Sequence, residues 1–344
     1  MEKIPVIVIN WNGFDDTVEC IESLLVQSFK NFIIYLIDND SRHDEFEKLQ
    51  AKYGNNQHIV LMKNSTNLGF TIAHNQLFEI LMKSDAEYVA LINNDAVADS
   101  NWLEQLYSKA ELEKADMVAS MMINYQNHTL TDSAGLFLLS SGEILPIGHD
   151  AQIDSLPKKL RAISACGGAC LYRLSMLKNI GIFDPYFSTG YEDAELGLRA
   201  FIAGKKIVLA ENAIVFHKMS RSVTKIFNRD KAQKIQEDIN YTCLKLMPTG
   251  VIVINSIFNI PRWIIIMLIH LITLRFRFVA IQLGALKRTM GDLKTIILKR
   301  KEFSKQRKTS TLEILKAQTF FLSHDLKRFI HLIVKHQKNQ FEKY

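Results

Sequence analysis

The first third of the chain alternates short apolar runs with amphipathic segments, and few architectures accommodate that alternation. Pro5–Ile9 is an apolar run. After it, Val18, Ile21, Leu24 and Leu25 share one face of a helix that Asp15 or Asp16 would cap. Phe32–Ile37 reads as the next strand and Asp44–Tyr53 as a charged helix. Ile59–Met62 is again a strand, Thr71–Met82 a helix, Tyr88–Ile92 a strand and Trp102–Leu112 a helix. Repeated strand–helix units predict an α/β fold, a mostly parallel sheet with helices on both faces. Ligands of such sheets sit beyond the carboxyl ends of the strands.

Polar residues gather at those ends. Asn10-Trp11-Asn12-Gly13 follows the first strand, Asp38-Asn39-Asp40-Ser41 the second, and Asn93-Asn94-Asp95 the strand at Tyr88–Ile92. Asn, Asp and Gly are ordinary turn residues, so one such loop means little. Three on one edge of a sheet mark a site.

The later pattern is less regular. Asn124–Ala162 is weakly patterned and fits a hairpin with a mobile loop. Ile163–Leu171 reads as a strand in which Gly167-Gly168 would let a backbone or ligand approach closely. Lys206–Ala210 and Ala213–Phe216 read as two short strands, the second ending at His217. Between these regions lies Phe183–Arg199, where Glu192-Asp193 follows a Gly-containing loop and opens a helix with Leu198, Phe201 and Ile202 on its apolar face. Such carboxylates either cap the helix or, kept ionised by the macrodipole, accept a proton from an incoming hydroxyl.

These residue types suit one chemistry. Asp95 at a strand end fits a hard divalent ion, Mg²⁺ or Mn²⁺, which takes few protein ligands and completes its shell with phosphate and water. His217 could add a ligand, although a lone histidine after an apolar strand also serves structure. Lys218 and Arg221 could meet a diphosphate. Metal and basic residues together would stabilise a nucleoside diphosphate as leaving group. Asp38 could accept from a base or ribose hydroxyl, and the Glu192-Asp193 pair could activate an acceptor.

After about Ser220 the character changes. Phe227–Leu246 reads as a polar helix. Val251–Leu274 is strongly apolar but interrupted by Asn255, Asn259, Pro261, Arg262 and His270. A spanning helix needs about 20 apolar residues. Arg262 and Pro261 near the middle favour instead two shorter helices lying in a membrane interface. Trp263 would then sit at headgroup depth, with Arg275, Arg277, Lys287 and Arg288 facing lipid phosphates. A buried helical hairpin is the alternative. Of the overall charge of +6, a net +10 lies from Leu286 onward, so everything before it carries −4. The basic Lys299–Lys308 segment adds attraction to an anionic surface. It lacks the interleaved aromatics of a nucleic-acid platform, so no nucleic-acid partner is expected.

The expected division is therefore a catalytic domain over 1–225 and a helical region over 226–344, with its apolar segment at 250–274 and a basic tail. Cys20, Cys166, Cys170 and Cys243 show no metal-binding spacing and read as buried thiols. With the first strand starting at Ile4, no signal peptide is expected and the body belongs in a reducing cytoplasm.

Taken together, the residues resemble family 2 glycosyltransferases, nearest the bacterial rhamnosyltransferase-like branch that builds cell-surface polysaccharide. The matching pieces run from Val6 to about Ser222. They are Val-Ile-Asn-Trp-Asn-Gly (8–13), Ile-Asp-Asn-Asp-Ser (37–41), Asn-Leu-Gly-Phe (67–70) with Asn75, Leu-Ile-Asn-Asn-Asp (91–95), Gly-Gly-Ala-Cys-Leu (167–171), Phe-Asp (183–184) and Tyr-Glu-Asp (191–193). The resemblance implies a GT-A fold and inverting transfer from a nucleotide-sugar, dTDP-rhamnose or a UDP-sugar, to a lipid-linked glycan at the inner face of the cytoplasmic membrane. It implies Asp193 as catalytic base with Glu192 beside it. Donor contacts would come from Asn10, Asn12, Asp38, Asn67, Gly69, Asn94 and Arg221, and metal contacts from Asp95 and His217. Asn93 stands where many relatives carry the first aspartate of the metal motif, which lowers the charge there. A nucleotidyltransferase would need a basic Gly-rich loop after the first strand, and Asn10–Asp16 has no basic residue. A non-catalytic nucleotide-sugar or glycan-binding subunit is the other alternative, and the intact Asp95 and Asp193 speak against it.

Overall fold

The computed structural model describes residues 3–157, 161–188, 190–218 and 229–322. The chain divides into two units. One comprises Met1–Phe137 and Pro146–Met219; the other comprises Leu138–Leu145 and the described chain after Ser220. The short segment Leu138–Leu145, which lies within the span 1–225, thus groups with the C-terminal helices.

The first unit is built on strands β1 (Ile4–Asn10), β2 (Phe32–Asp38), β3 (Ile59–Lys63), β4 (Tyr88–Ile92), β5 (Ala96–Ala98), β6 (Met117–Asn124), β7 (Thr131–Ser133), β10 (Ala169–Arg173) and β11 (Ile207–His217). They form one nine-stranded sheet in the order β3-β2-β1-β4-β10-β6-β11-β5, with β7 paired to β6. β1 runs parallel to β2 and β4, β2 to β3, and β6 to β11. β10 enters antiparallel between β4 and β6. β8 (Leu136–Leu138) and β9 (Ile144–Pro146) form a separate two-stranded sheet.

Alternation along each strand divides the core. Val6 and Val8 join Ile34 and Leu36 on the face covered by α1 (Phe14–Leu25), α2 (Glu45–Tyr53) and α4 (Trp102–Glu113). Ile7 and Ile37 join Leu91 on the opposite face, under α3 (Gly69–Leu81), α5 (Leu174–Ile180) and α6 (Glu192–Ile202). Apolar residues on both faces are what a sheet sandwiched between helices demands.

Several local expectations change. Neither Asp15 nor Asp16 caps α1: Gly13, which has no side chain to cap with, is the N-cap residue, and its N–H donates to Glu45 Oε2 at 3.1 Å. The strand expected over Ile163–Leu171 begins only at Ala169, because Gly167-Gly168 forms the turn entering it. The two short strands before His217 are one, β11, with a register shift between Ala210 and Ile214. A bulge keeps the ladder continuous where the sequence reads as a break.

The second unit holds α7 (Arg229–Leu246), α8 (Thr249–Ile272), α9 (Phe276–Gly291), α10 (Leu293–Ser304) and α11 (Thr311–Ala317). α9 and α10 pack on α7. The two short apolar helices expected over 251–274 are a single helix of 24 residues running through Pro261. Proline removes one intrahelical hydrogen bond. Here the chain is anchored on both sides of it, by Asn259 Nδ2 donating to the Ser140 carbonyl and by Arg262 lying over the Phe321 ring.

Candidate active site

The carboxyl edge of the sheet brings the polar loops together. Asn10 and Asp38 are register partners at the ends of β1 and β2, and both are fully buried. Asn10 Nδ2 lies 2.8 Å from Asp38 Oδ2, 3.0 Å from Glu45 Oε2 and 3.1 Å from Ser41 Oγ. Its Oδ1 accepts from Thr17 Oγ1 at 2.7 Å, and Thr17 accepts from Asn94 Nδ2 at 2.9 Å. One hydrogen-bonded chain therefore links the loops after β1, β2 and β4. Asp38 Oδ1 takes the Ser41 backbone N–H, and Asn12 Oδ1 takes that of Arg42. Asn12 and Asp40 are held at φ +54 and +66, values uncommon for residues with side chains.

Asn67 closes one side. Its Oδ1 accepts from Gly69 N at 2.8 Å, at the start of α3, and from Asn39 Nδ2 at 2.9 Å. Asn75 Nδ2 donates to the Phe183 carbonyl and ties α3 to the chain leading into Asp184.

The strand pairing explains a second juxtaposition. Asp95 immediately precedes β5, whose Ala96 lies opposite His217 at the end of β11. Asp95 Oδ1 and His217 Nε2 are 3.2 Å apart, and His217 Nδ1 lies 2.8 Å from Asp132 Oδ2. Burial alone would lower the His217 pKa, but hydrogen bonds with Asp132 and Asp95 outweigh it and raise it to about 10. Sequence reasoning missed Asp132, which lies in the weakly patterned stretch. The imidazole's second nitrogen signalled that an orienting partner was needed, though not which one.

This pair suits a divalent ion. Two ligands at right angles on Mg²⁺ or Mn²⁺, with bonds of about 2.1 Å, stand about 3.0 Å apart. The carboxylate on Nδ1 is the partner that orients a metal-binding histidine. Among the described residues, no three His, Cys, Asp or Glu side chains are arranged to hold an ion by protein ligands alone.

Gly167-Gly168 connects this loop to the start of α6. A Cβ on Gly168 would stand 3.2 Å from Asn93 Nδ2, and one on Gly167 would stand 3.3 Å from Asp193 Cβ. Gly167 N donates to Asp193 Oδ2 at 2.7 Å, and Ala194 N to Asp193 Oδ1 at 2.6 Å. Burial raises the Asp193 pKa above its ordinary value, while these backbone N–H groups act in the opposite direction. The helix start alone, as read from sequence, leaves that desolvation out. Glu192 is buried beside it. Tyr191, at φ +77, is the N-cap residue of α6. Lys218, read from sequence as a contact for a diphosphate, has its Nζ paired within the protein, with Asp16 at 2.6 Å and with Glu19. Arg221 lies outside the described residues.

Comparison with known proteins now decides the family. Residues 6–181, just over half of the chain, match the model of Glycosyl transferase family 2. The chain belongs to that family. GlyG, a glycosyltransferase of Streptococcus pneumoniae serotype 4, is 23% identical over 232 residues, covering 64% of this chain and 73% of GlyG. S. aureus TarS in complex with UDP superposes with a TM-score of 0.51 at 18% identity, over 71% of this chain and 66% of that one. GalNAc-T7 with UDP, GalNAc and Mn²⁺ gives 0.53 at 14% identity, over 71% of this chain and 50% of that one. These structures share the GT-A fold with this chain. A family 2 glycosyltransferase transfers sugar from a nucleotide-activated donor, and Asn10 and Asp38 end β1 and β2 at the carboxyl edge of the sheet, the edge beyond which α/β sheets bind ligands.

Proposed function

We propose that this chain is a metal-dependent, inverting glycosyltransferase using dTDP-rhamnose or a UDP-sugar. The acceptor in this reading is a lipid-linked glycan of cell-surface polysaccharide synthesis, met at the inner face of the cytoplasmic membrane. One observation carries the catalytic part. Gly168 lies against Asn93 and Gly167 against Asp193, so backbone without side chains runs past both the loop proposed to hold the metal and the candidate base.

In this reading Asp38 and Asn10 receive the nucleoside, with Asn12, Asn67, Gly69 and Asn94 shaping the surrounding loops. Asp95 and His217 would hold Mg²⁺ or Mn²⁺, which supplies charge neutralisation to the departing diphosphate. Asp193 takes the proton from the acceptor hydroxyl as its oxygen bonds to the anomeric carbon. The bond to the diphosphate breaks on the opposite face, which inverts the configuration, as one-carboxylate-as-base chemistry does in inverting glycosidases. Its raised pKa makes Asp193 a stronger base than an exposed aspartate. Glu192 orients the start of α6.

Thermal-shift screening against UDP-, dTDP- and GDP-sugars with Mg²⁺ or Mn²⁺ tests the donor assignment, because ligands of the native state raise its melting temperature. A metal-dependent rise with UDP- or dTDP-sugars is expected. Stabilisation by GDP-sugars alone, or by none, would overturn it.

A further inference from the structure

α8 is amphipathic in the reverse sense to a soluble helix. From Val251 to Ile272 every exposed residue is apolar, with Ile257 63%, Ile265 56% and Ile272 79% exposed. Its polar residues turn toward the rest of the second unit. Asn255, Asn259, Arg262 and His270 fall on one face at helical spacing, and none of them is exposed. Asn259 Nδ2 donates to the Ser140 carbonyl at 2.8 Å, Arg262 lies 3.9 Å from Glu143, and the His270 ring stacks on Phe278. The apolar face continues beyond the helix through Leu274 and Phe276.

The segments that follow carry the complementary charge. Arg275, Arg277, Lys287, Arg288, Lys294 and Lys301 are all exposed, whereas the exposed acidic residues described after Ile272 are Glu302 and Glu313. A water-facing helix would lose free energy by displaying such a face. Covering it with a second copy would set one array of cations beside another, a like-charge arrangement that opposes association. An anionic lipid surface satisfies both features, taking the apolar face into its acyl boundary and the cations at its phosphates.

We infer that α8 docks lengthwise in the interface of an anionic membrane, with its Ile257–Ile265–Leu268 face in lipid and its Asn259–Arg262 face on protein. This deepens, and rests on, the proposed membrane association. Length does not decide between lying and spanning. At about 1.5 Å per residue the helix is long enough to cross a hydrocarbon core of about 30 Å. The packing decides. Asn259 and Arg262, at mid-helix, are bound to the Leu138–Leu145 segment, and spanning would carry that segment's irregular backbone to the middle of the bilayer, where lipid-exposed polar backbone is not tolerated.

Trp263 makes the orientation measurable. It lies near the middle of α8, so a spanning helix puts it near the bilayer centre and a lengthwise one near the headgroups. The full chain is mixed with vesicles of equal parts phosphatidylcholine and phosphatidylglycerol carrying lipids brominated at graded depths. Trp263 quenching is obtained by subtracting the Trp263→Phe signal. Binding with strongest quenching from shallow bromines is expected, and the Ile257→Asp/Leu268→Asp double variant, with unchanged circular dichroism, should partition at least tenfold less. Binding with strongest quenching from the deepest bromines would overturn the lengthwise placement alone. Failure to bind, or formation of a dimer with no affinity for vesicles, would overturn the membrane reading with it. Unchanged partitioning of the double variant would remove the docking face.

Discussion

Gly167 N–H donates to Asp193 Oδ2 at 2.7 Å, so the turn into β10 holds the carboxylate that opens α6. A methyl group at 167 would meet Asp193 Cβ at 3.3 Å and Phe70 Cζ at 3.5 Å, close enough to require a small displacement. Gly167→Ala should therefore lower kcat by about tenfold or more, the sensitivity of positioned groups to small misplacements. Donor affinity should hardly change. Steady-state kinetics alongside donor thermal shifts separate the two.

Asp95 and His217 face each other at 3.2 Å, and the account makes them metal ligands. Asp95→Ala should shift the metal concentration for half-maximal donor binding upward by about tenfold, the scale on which ligand and supporting groups act. Titration with Mn²⁺ at fixed donor reads this. Metal dependence equal to that of the parent protein would remove Asp95 from the role.

α6 lies so near Ser164 that a Cβ on Gly197 would fall 1.8 Å from Ser164 Oγ and 2.6 Å from its Cα. Ser164 Oγ in turn donates to the Asp193 carbonyl at 2.7 Å. Gly197→Ala should cost about 1–3 kcal/mol, as overpacking does, and reduce turnover as well. Chemical denaturation and a kinetic assay measure both.

Arg199 is buried. Its guanidinium pairs with the fully buried Glu195 at 2.8 Å and donates to the Ile180 and Ile182 carbonyls, tying α6 to the end of α5. Arg199→Ala leaves a buried carboxylate without its partner and should destabilise by about 3–5 kcal/mol. Urea unfolding provides the comparison.

His149 pairs with Asp132 at 3.2 Å, and that hydrogen bond, opposed by burial, raises its pKa to about 9. A raised histidine contributes stability that is fully present below its unfolded value of about 6.5. The contribution is lost as pH rises through about 9. The melting temperature of His149→Gln should fall below that of the parent at about pH 6 and converge with it at about pH 10. A difference that persists undiminished at alkaline pH would show that the pair is not the cause.

Much of the first half was legible because its strands end in polar loops and its helices keep one apolar face. β1 to β4 and the helices between them lie within a few residues of their expected positions. β6 was not seen: Met117–Asn124 is rich in Met, Ala and Ser, which carry little strand signal, and it is fixed by the β10 and β11 ladders on either side. The Asp95–His217 contact was invisible for a related reason. It depends on β5, a strand of three residues that exists by pairing with β11. Asp132 reaches His217 through β7, another three-residue strand held by β6. In the second unit Pro261 suggested a break, whereas contacts distant in sequence carry α8 through it.

The central claim is that Asp193 removes the acceptor proton. It is tested most directly by measuring acceptor-dependent nucleoside diphosphate release by Asp193→Asn, together with its donor-induced thermal shift. The account predicts release reduced by at least about 10²-fold, the scale of general-base contributions, with the thermal shift preserved. Release of nucleoside diphosphate at the parent rate by the Asp193→Asn variant would contradict it.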